Sequence, residues 1–386
     1  MTPALTANSQ CRSGSRRAEV RIYLVVSRLE LRDWDHDRPI GFDGASGRSV
    51  LLMSESGPLN EGEPAGGGPE VAKSPGLRDM LAAGDSGVML FSLTPPKRHE
   101  TEQRVKEIAA VTAERLARLP IDGLILYDID DESDRLPEER PFPFLPTLDP
   151  AQYYADHLSA GDLPVVIYRC IGKYRNEELR DWLSQADPQR VLSVFVGPSS
   201  RDKPVRTDLR SAHAAHQQVR PELMLGGVVI GERHTRGHDE HLRMLAKQER
   251  GCSFFVSQVV YHVNETKNLI SDYFYECRAR AIAPRPVIFT LSVCGSLKTL
   301  EFVRWLGVDV PRWLENSIRY SSDPLAESCR QAVSIAQDLA NFCQNLNMPY
   351  GFNVESVSIR KAEIDATVEL AADVALLLGR GPAASS

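Results

Sequence analysis

The fold is decided by Leu225-Gly-Gly-Val-Val-Ile-Gly-Glu-Arg-His234, by the amphipathic segment that ends at Lys247-Gln-Glu-Arg-Gly251, and by Cys252-Ser-Phe-Phe-Val-Ser-Gln-Val-Val-Tyr261. Two continuous apolar runs flank one helix, a pattern typical of strands that are buried on both faces in a parallel sheet. The first run ends in Glu232 and His234, and the second contains Gln258. In a β/α barrel, strand ends aim such side chains at one mouth, where the loops carry the chemistry.

The same alternation repeats along most of the chain. Strands are predicted at 87–92, 122–128, 164–170, 191–197, 224–230, 253–259, 285–291 and 350–355. Amphipathic helices are predicted at 99–118, 150–159, 174–186, 206–219, 236–250, 264–280, 296–306, 322–346 and 360–377. This order predicts an α/β fold of the (β/α)8 TIM-barrel type. An open doubly wound sheet is the alternative, but no GxGxxG phosphate loop follows any of the strands.

The first 75 residues differ in composition from the rest. They contain Ser13-Gly-Ser15, Gly44-Ala-Ser-Gly47 and Glu61-Gly-Glu-Pro-Ala-Gly-Gly-Gly-Pro69, which are typical of linkers. One alternating apolar run, Val20–Val26, is long enough for a strand. We therefore predict a largely flexible N-terminal extension over residues 1–75 and a barrel domain over residues 76–386.

Bulk properties limit the class of protein. The 386 residues are 42% hydrophobic and 25% charged, which is ordinary for a globular chain. A net charge of −7 argues against a nucleic-acid or anionic-membrane partner. The seven cysteines include no CxxC pair and indicate reduced thiols in a cytoplasmic protein. No apolar run approaches the roughly 20 residues of a membrane span, and the N-terminus lacks a secretory signal.

Four motifs occur in a characteristic order: Phe91-Ser-Leu-Thr-Pro-Pro-Lys97, Gly227-Val-Val-Ile-Gly-Glu-Arg-His234, the segment Gly251–Gln258, and Val308-Asp-Val-Pro-Arg-Trp-Leu314. In this order they resemble the methylenetetrahydrofolate reductase family. The resemblance implies a TIM barrel that binds FAD and a folate at its carboxyl face. It also implies an oxidoreductase of one-carbon metabolism and methionine biosynthesis, which reduces 5,10-methylene- to 5-methyltetrahydrofolate with NADH or NADPH as electron donor.

The resemblance also implies individual site residues. His234, Glu240, Lys247 and Gln258 match the flavin-binding positions, while Gln258 and Leu297 match positions that contact the substrates. A glutamine amide offers both a donor and an acceptor to the edge of a ring. Cationic groups suit the flavin phosphates or the ring edge where charge develops on reduction. The alternatives are a glutamine that bonds a loop and a lysine that is solvated.

The motifs depart from the family at the position of its acid. Ser92 stands where family members carry a glutamate that acts as general acid, and a serine hydroxyl is far too weak an acid for this role. Val196-Gly197-Pro198 replaces the family's Arg-Gly-Asp. A substitute acid is sought in Glu232, or in the carboxylates that follow the second strand, where clustering raises pKa values. These carboxylates are Asp128, Asp130, Asp131, Glu132 and Asp134.

The predicted function is therefore that of a methylenetetrahydrofolate reductase-like FAD enzyme. The alternatives are a divergent paralogue and a non-catalytic flavin- or folate-binding protein, and a homo-oligomer or a partner reductase subunit is compatible with either. No metal is expected, because His234, His238 and His241 do not form an HExxH motif. A calcium loop over 128–139 lacks its turn glycine, since Ser133 stands there.

Overall fold

The computed structural model describes residues 75–131, 139–159, 163–197 and 204–381. Eight parallel strands, β1 to β8, close into a barrel in sequence order. They are Val88–Leu93, Gly123–Leu126, Val165–Cys170, Val191–Val196, Leu225–Val229, Cys252–Val259, Val287–Ser292 and Tyr350–Glu355. All eight predicted strands and the (β/α)8 TIM-type barrel are confirmed. The predicted extension over residues 1–75 lies, except for Pro75, outside the described residues.

Helices surround the barrel. In chain order α1 to α12 are Leu77–Ala83, Glu102–Leu116, Pro150–Tyr153, Asn176–Gln185, Leu209–Val219, Gly231–Gly237, Glu240–Glu249, Val263–Ala279, Leu297–Trp305, Arg312–Tyr320, Pro324–Leu346 and Lys361–Leu377. The helix predicted at 236–250 is wrong as a single element. It is two helices, α6 and α7, because His238 between them adopts a left-handed conformation (φ 52°). The helix predicted at 150–159 continues from α3 into a π-helical turn, Tyr154–Leu158.

Inside the barrel, side chains from alternate strand positions form a compact core. It contains Leu90, Ile125, Val166, Val194 and Phe254, each buried. The core needs glycine at position 226, because a Cβ there would lie 2.5 Å from the ring of Phe254. Because these side chains fill the interior, the barrel has no central pore, and its polar groups lie at the carboxyl ends of the strands.

Helix α1, which the sequence analysis did not predict, closes the amino-terminal end of the barrel. Its Leu77, Met80 and Leu81 are buried and belong to the interior core. Leu77 lies against Gly123, the first residue of β2, where a Cβ would come within 2.7 Å of the leucine side chain. The carboxyl ends of the strands are therefore the open face.

The cysteines of the described residues fill space. Six are free, and four of these (Cys252, Cys277, Cys294 and Cys343) are buried. Burial raises the pKa of Cys294 to about 12, so its thiol is no nucleophile near neutral pH. Within the described ranges, no helix combines the length and apolarity that a membrane span requires.

Candidate functional site

A network of polar side chains lies at the carboxyl end of the barrel, across β1, β2, β7 and β8. We call it the mouth network: Ser92, Tyr127, Thr290, Asn353 and Glu355. The Ser92 hydroxyl donates to Asn353 Oδ1 at 2.5 Å and lies 3.2 Å from the Tyr127 hydroxyl. The Asn353 amide donates to Thr290 Oγ1 at 3.2 Å and to the Tyr127 oxygen at 3.4 Å. Tyr127 in turn donates a short hydrogen bond to the Glu355 carboxylate.

The strand register explains why these side chains meet. β8 pairs with β1 from Val88↔Gly351 to Phe91↔Val354, and β1 pairs with β2 from Leu90↔Gly123 to Leu93↔Leu126. Residues two apart on a strand share a face, so Asn353 and Glu355 both project inward at the top of β8. Closure of the barrel thereby brings Glu355 beside Tyr127, 228 residues earlier in the chain.

Glu355 is the titratable group of this network. Burial raises the pKa of its carboxyl to about 7, while the hydrogen bond from Tyr127 opposes that rise. Burial also raises the pKa values of Tyr127 and Tyr168, whose rings meet edge to face with centroids 4.9 Å apart. Within the described residues, no lysine, arginine or histidine nitrogen lies within 4 Å of the Glu355 carboxylate. The mouth therefore holds a carboxyl group that exchanges its proton near neutral pH.

Ser92, predicted at the position of the family's catalytic glutamate, lies within this network and is buried. Its proton goes to Asn353, and it contacts the same tyrosine that bonds Glu355. An acid is thus present near the expected place, but it comes from β8 rather than from β1. The sequence analysis missed Glu355, although a glutamate at the end of a buried strand, two residues after Asn353, was the available signal.

Glu232 and Gln258 line a small, partly open cavity between the tops of β5 and β6 and helix α8. Burial raises the pKa of Glu232, whose Oε1 accepts the Asp309 backbone N–H at 3.1 Å. The Gln258 amide donates to the Leu306 carbonyl at 2.9 Å. We call this the β5–β6 pocket; it brings together two of the predicted residues, away from Ser92 in the sheet.

The other three predicted flavin-binding residues lie between the barrel and helices α6 to α8. His234 is 2% exposed and its Nε2 lies 3.0 Å from Asp272 of α8. Glu240 is fully buried and accepts the Ile230 N–H at 3.3 Å. Lys247 donates to the Val228 carbonyl and lies 3.8 Å from Glu240. Burial lowers the pKa of Lys247.

These contacts bear on whether the residues fit a flavin. His234 Nδ1 and Glu240 Oε2 have no hydrogen-bond partner, but both atoms are sealed from the surface. Lys247 Nζ is held by a backbone carbonyl, and of the four predicted residues only Gln258 lines an open pocket. The unpartnered atoms of His234 and Glu240 face the protein interior rather than the surface, and the FAD-binding role of the four residues stays a prediction.

The acidic segment after β2 is partly a structural anchor. Asp128 is buried and accepts hydrogen bonds from the Cys170 backbone, the Lys173 ammonium and the Tyr174 hydroxyl. These contacts tie the top of β2 to the loop after β3. Glu132, Ser133 and Asp134, and with them the calcium-loop alternative, lie outside the described residues.

Aromatic side chains connect two loops on the same face. Phe142, from the segment between β2 and α3, meets Phe302 of α9 with ring centroids 5.2 Å apart. The Arg140 guanidinium lies 5.1 Å from the Trp305 ring centre. Leu297, a predicted substrate contact, begins α9 and is 40% exposed. Leu297 therefore lies on the open face, on a helix that the β2 loop contacts.

One group of side chains in the described ranges resembles a metal site. One ligand atom from each of His234, His241 and Asp272 lies within 4.8 Å of the others. His234 and Asp272 are already a hydrogen-bonded pair. The expectation that no metal binds stays a prediction.

Comparison with known proteins adds one informative relative. An uncharacterized protein from Clostridium thermocellum, which binds two copies of 5-methyl-5,6,7,8-tetrahydrofolic acid, is 40% identical. The match covers 78% of this chain and 99% of that chain, with a TM-score of 0.70. No family model and no curated protein matches.

More distant solved structures share less. A xylanase from Paenibacillus barcinonensis is 12% identical, with a TM-score of 0.42 over 80% of this chain and 98% of that chain. A dihydropteroate synthase from Thermus thermophilus is 16% identical, with a TM-score of 0.33 over 73% and 92% of the two chains. At these values neither structure bears on function.

Proposed function

Because the chain belongs to the family of the Clostridium thermocellum protein, we propose that it binds a reduced folate at the mouth of its barrel. The mouth network is the observation that supports this most directly. It gives the open face of the barrel a carboxyl group that has no cationic partner within 4 Å among the described residues and that lies beside hydroxyl and amide groups. A pterin ring needs an apolar slot with a few polar groups at its edge, and the rings of Tyr127 and Tyr168 lie beside the polar groups of the network.

Two ligand positions are proposed, matching the two copies that the relative binds. One lies at the mouth network and the other at the β5–β6 pocket, where Glu232 and Gln258 present polar atoms. Isothermal titration of the purified protein with 5-methyltetrahydrofolate tests this proposal. We expect saturable heat with a stoichiometry of two. The absence of any heat or fluorescence change at millimolar ligand would overturn folate binding.

The resemblance to methylenetetrahydrofolate reductases supports a more specific proposal. In this form the protein is a cytoplasmic FAD enzyme that reduces a methylene to a methyl group on the folate, with NADH or NADPH as electron donor. When bound, FAD would supply the hydride chemistry, with Gln258 at its ring edge. A yellow protein that is bleached by NADH or NADPH and regains colour with methylenetetrahydrofolate supports this proposal. Size-exclusion chromatography tests the accompanying homo-oligomer or partner subunit.

A folate-binding protein without flavin is the second candidate. It is favoured by the burial of His234 and Glu240, which present no free atom to the open face. This candidate predicts a colourless protein that binds 5-methyltetrahydrofolate and does not quench the fluorescence of added FAD. The absorption spectrum of the purified protein separates the two candidates in one measurement.

A further inference from the structure

We propose that Glu355 is the ligand-binding carboxylate of the barrel mouth. It accepts hydrogen bonds from the 2-amino group and the adjacent ring N–H of a reduced pterin, and it releases its own proton as the ligand binds. This inference rests on the proposed folate binding and names the residue that recognises the ring.

The direction of the hydrogen bonds supports this role. Asn353 Oδ1 takes the single proton of Ser92 at 2.5 Å, and the Asn353 amide donates to Thr290 and Tyr127. The Thr290 hydroxyl donates a hydrogen bond to the Ser257 carbonyl at 2.7 Å. The Tyr127 oxygen is therefore an acceptor toward Asn353, and its proton is left for Glu355. Each hydroxyl of the network therefore already donates its hydrogen bond, and the Glu355 carboxylate accepts the last of these bonds.

The surroundings of Glu355 explain what a ligand would change. The titratable groups that face it are Tyr127 after β2, Tyr168 of β3 and Tyr261 after β6. Burial raises the pKa of each of these phenols, so all three stay neutral in the range in which Glu355 titrates. Among the described residues, no cation lies within 4 Å to balance the carboxylate. The free site therefore favours the protonated acid below about pH 7.

The edge of a pterin ring supplies hydrogen-bond donors that stabilise the charged form of the Glu355 carboxylate. Its 2-amino group and neighbouring ring N–H are parallel donors that match the two oxygens of one carboxylate. Hydrogen bonds to the charged form of an acid favour that form. Binding must then lower the pKa of Glu355 and release its proton to the buffer. The hydroxyl groups of the network cannot take the place of Glu355 in this role, because their protons are already donated within the network.

Glu232 is the competing carboxyl on this face. It also has a raised pKa, and it lies in an open pocket. Each carboxylate has one oxygen engaged: Oε1 of Glu232 accepts the Asp309 backbone N–H, and Oε2 of Glu355 accepts from the Tyr127 hydroxyl. The ring edge is assigned to Glu355 because its carboxylate belongs to the hydroxyl and amide network of the mouth, and the Glu232→Gln variant tests the alternative.

The test is proton release during calorimetric titration with 5-methyltetrahydrofolate. Full-length protein is titrated at about pH 6 and about pH 8, each in two buffers of different ionisation enthalpy. At pH 6 we expect release of about 0.9 proton for the ligand at the mouth network, and almost none at pH 8. Affinity should rise with pH up to about 7 and then level off.

Two variants locate the proton. Glu355→Gln should abolish the release at both pH values and weaken this site by about tenfold to a hundredfold, as expected for a hydrogen bond to a charged group. Tyr127→Phe should retain the release and move it to higher pH, because the donor that lowers the carboxyl pKa is gone. Melting curves of each variant establish that it is folded.

The outcomes are distinct. No binding by the unaltered protein overturns the proposed function itself. Binding without proton release, or release that persists in Glu355→Gln, overturns the role of Glu355 and leaves folate binding intact. Release that is lost only in Glu232→Gln also overturns it, because the ring edge would then lie in the β5–β6 pocket. If Glu355→Gln does not fold, Tyr127→Phe decides the question: release that does not move to higher pH overturns the role of Glu355.

Discussion

At the scale of single residues, Glu355 makes stability depend on pH. Its carboxyl pKa is about 7 in the folded protein, against an ordinary value of 4.5. The folded state therefore holds more protons than the unfolded state between these values, so stability falls as pH rises through that window. The contribution is complete below about pH 4.5 and lost above about pH 7. We expect Glu355→Gln to flatten the dependence of melting temperature on pH in this window; an unchanged slope would mean that another group titrates.

Ser92 has a structural role that can be measured in isolation. Ser92→Ala leaves Asn353 Oδ1 without the donor that now lies 2.5 Å away, in a fully buried position. An unsatisfied buried acceptor costs about 1–3 kcal/mol. Urea unfolding should report a loss of this size. The exposed Ser184, whose hydroxyl bonds a surface carbonyl, provides the control: Ser184→Ala should change stability by less than about 0.5 kcal/mol.

At the scale of secondary-structure elements, α1 is needed to fill the barrel floor. Leu81 is fully buried against interior core residues. Leu81→Ala leaves a cavity there and should lower the free energy of unfolding by about 2–5 kcal/mol. Leu376→Ala is the matched control, because Leu376 on α12 is 59% exposed. Equal effects of the two substitutions in chemical denaturation would argue that α1 does not pack in the barrel.

The elements also show how far the sequence alone could go. All eight strands were predictable, because continuous apolar runs are the direct signature of burial on both faces. Helix α6 was not, since Gly231-Glu-Arg-His-Thr-Arg-Gly237 carries no apolar stripe and begins and ends in glycine. Ser92 and Gln258 were placed on the open face by their strands. Glu355 escaped notice because its partner Tyr127 is brought to it only by pairing between distant strands.

At the scale of the whole molecule, the barrel closes between β8 and β1. A Cβ on Gly351 would lie 2.5 Å from the Val88 carbonyl oxygen, a backbone atom that cannot move aside without parting the two strands. Gly351→Ala should therefore destabilise the protein by about 1–3 kcal/mol, measured by thermal or urea unfolding. Gly76→Ala, whose nearest contact would be an ordinary 3.8 Å, is the control. A fully stable Gly351→Ala protein would indicate a looser closure than the structure has.

That closure has a consequence for biosynthesis. The strands emerge from the ribosome in order, and the mouth network draws on the first, second, seventh and eighth of them. In a nascent chain whose Tyr350–Glu355 segment has not yet emerged from the ribosome, Ser92 and Tyr127 lack their partners. A small molecule that recognises this network would therefore engage only finished chains. It would raise their melting temperature by mass action, and in a cell extract it would distinguish completed protein from truncated products.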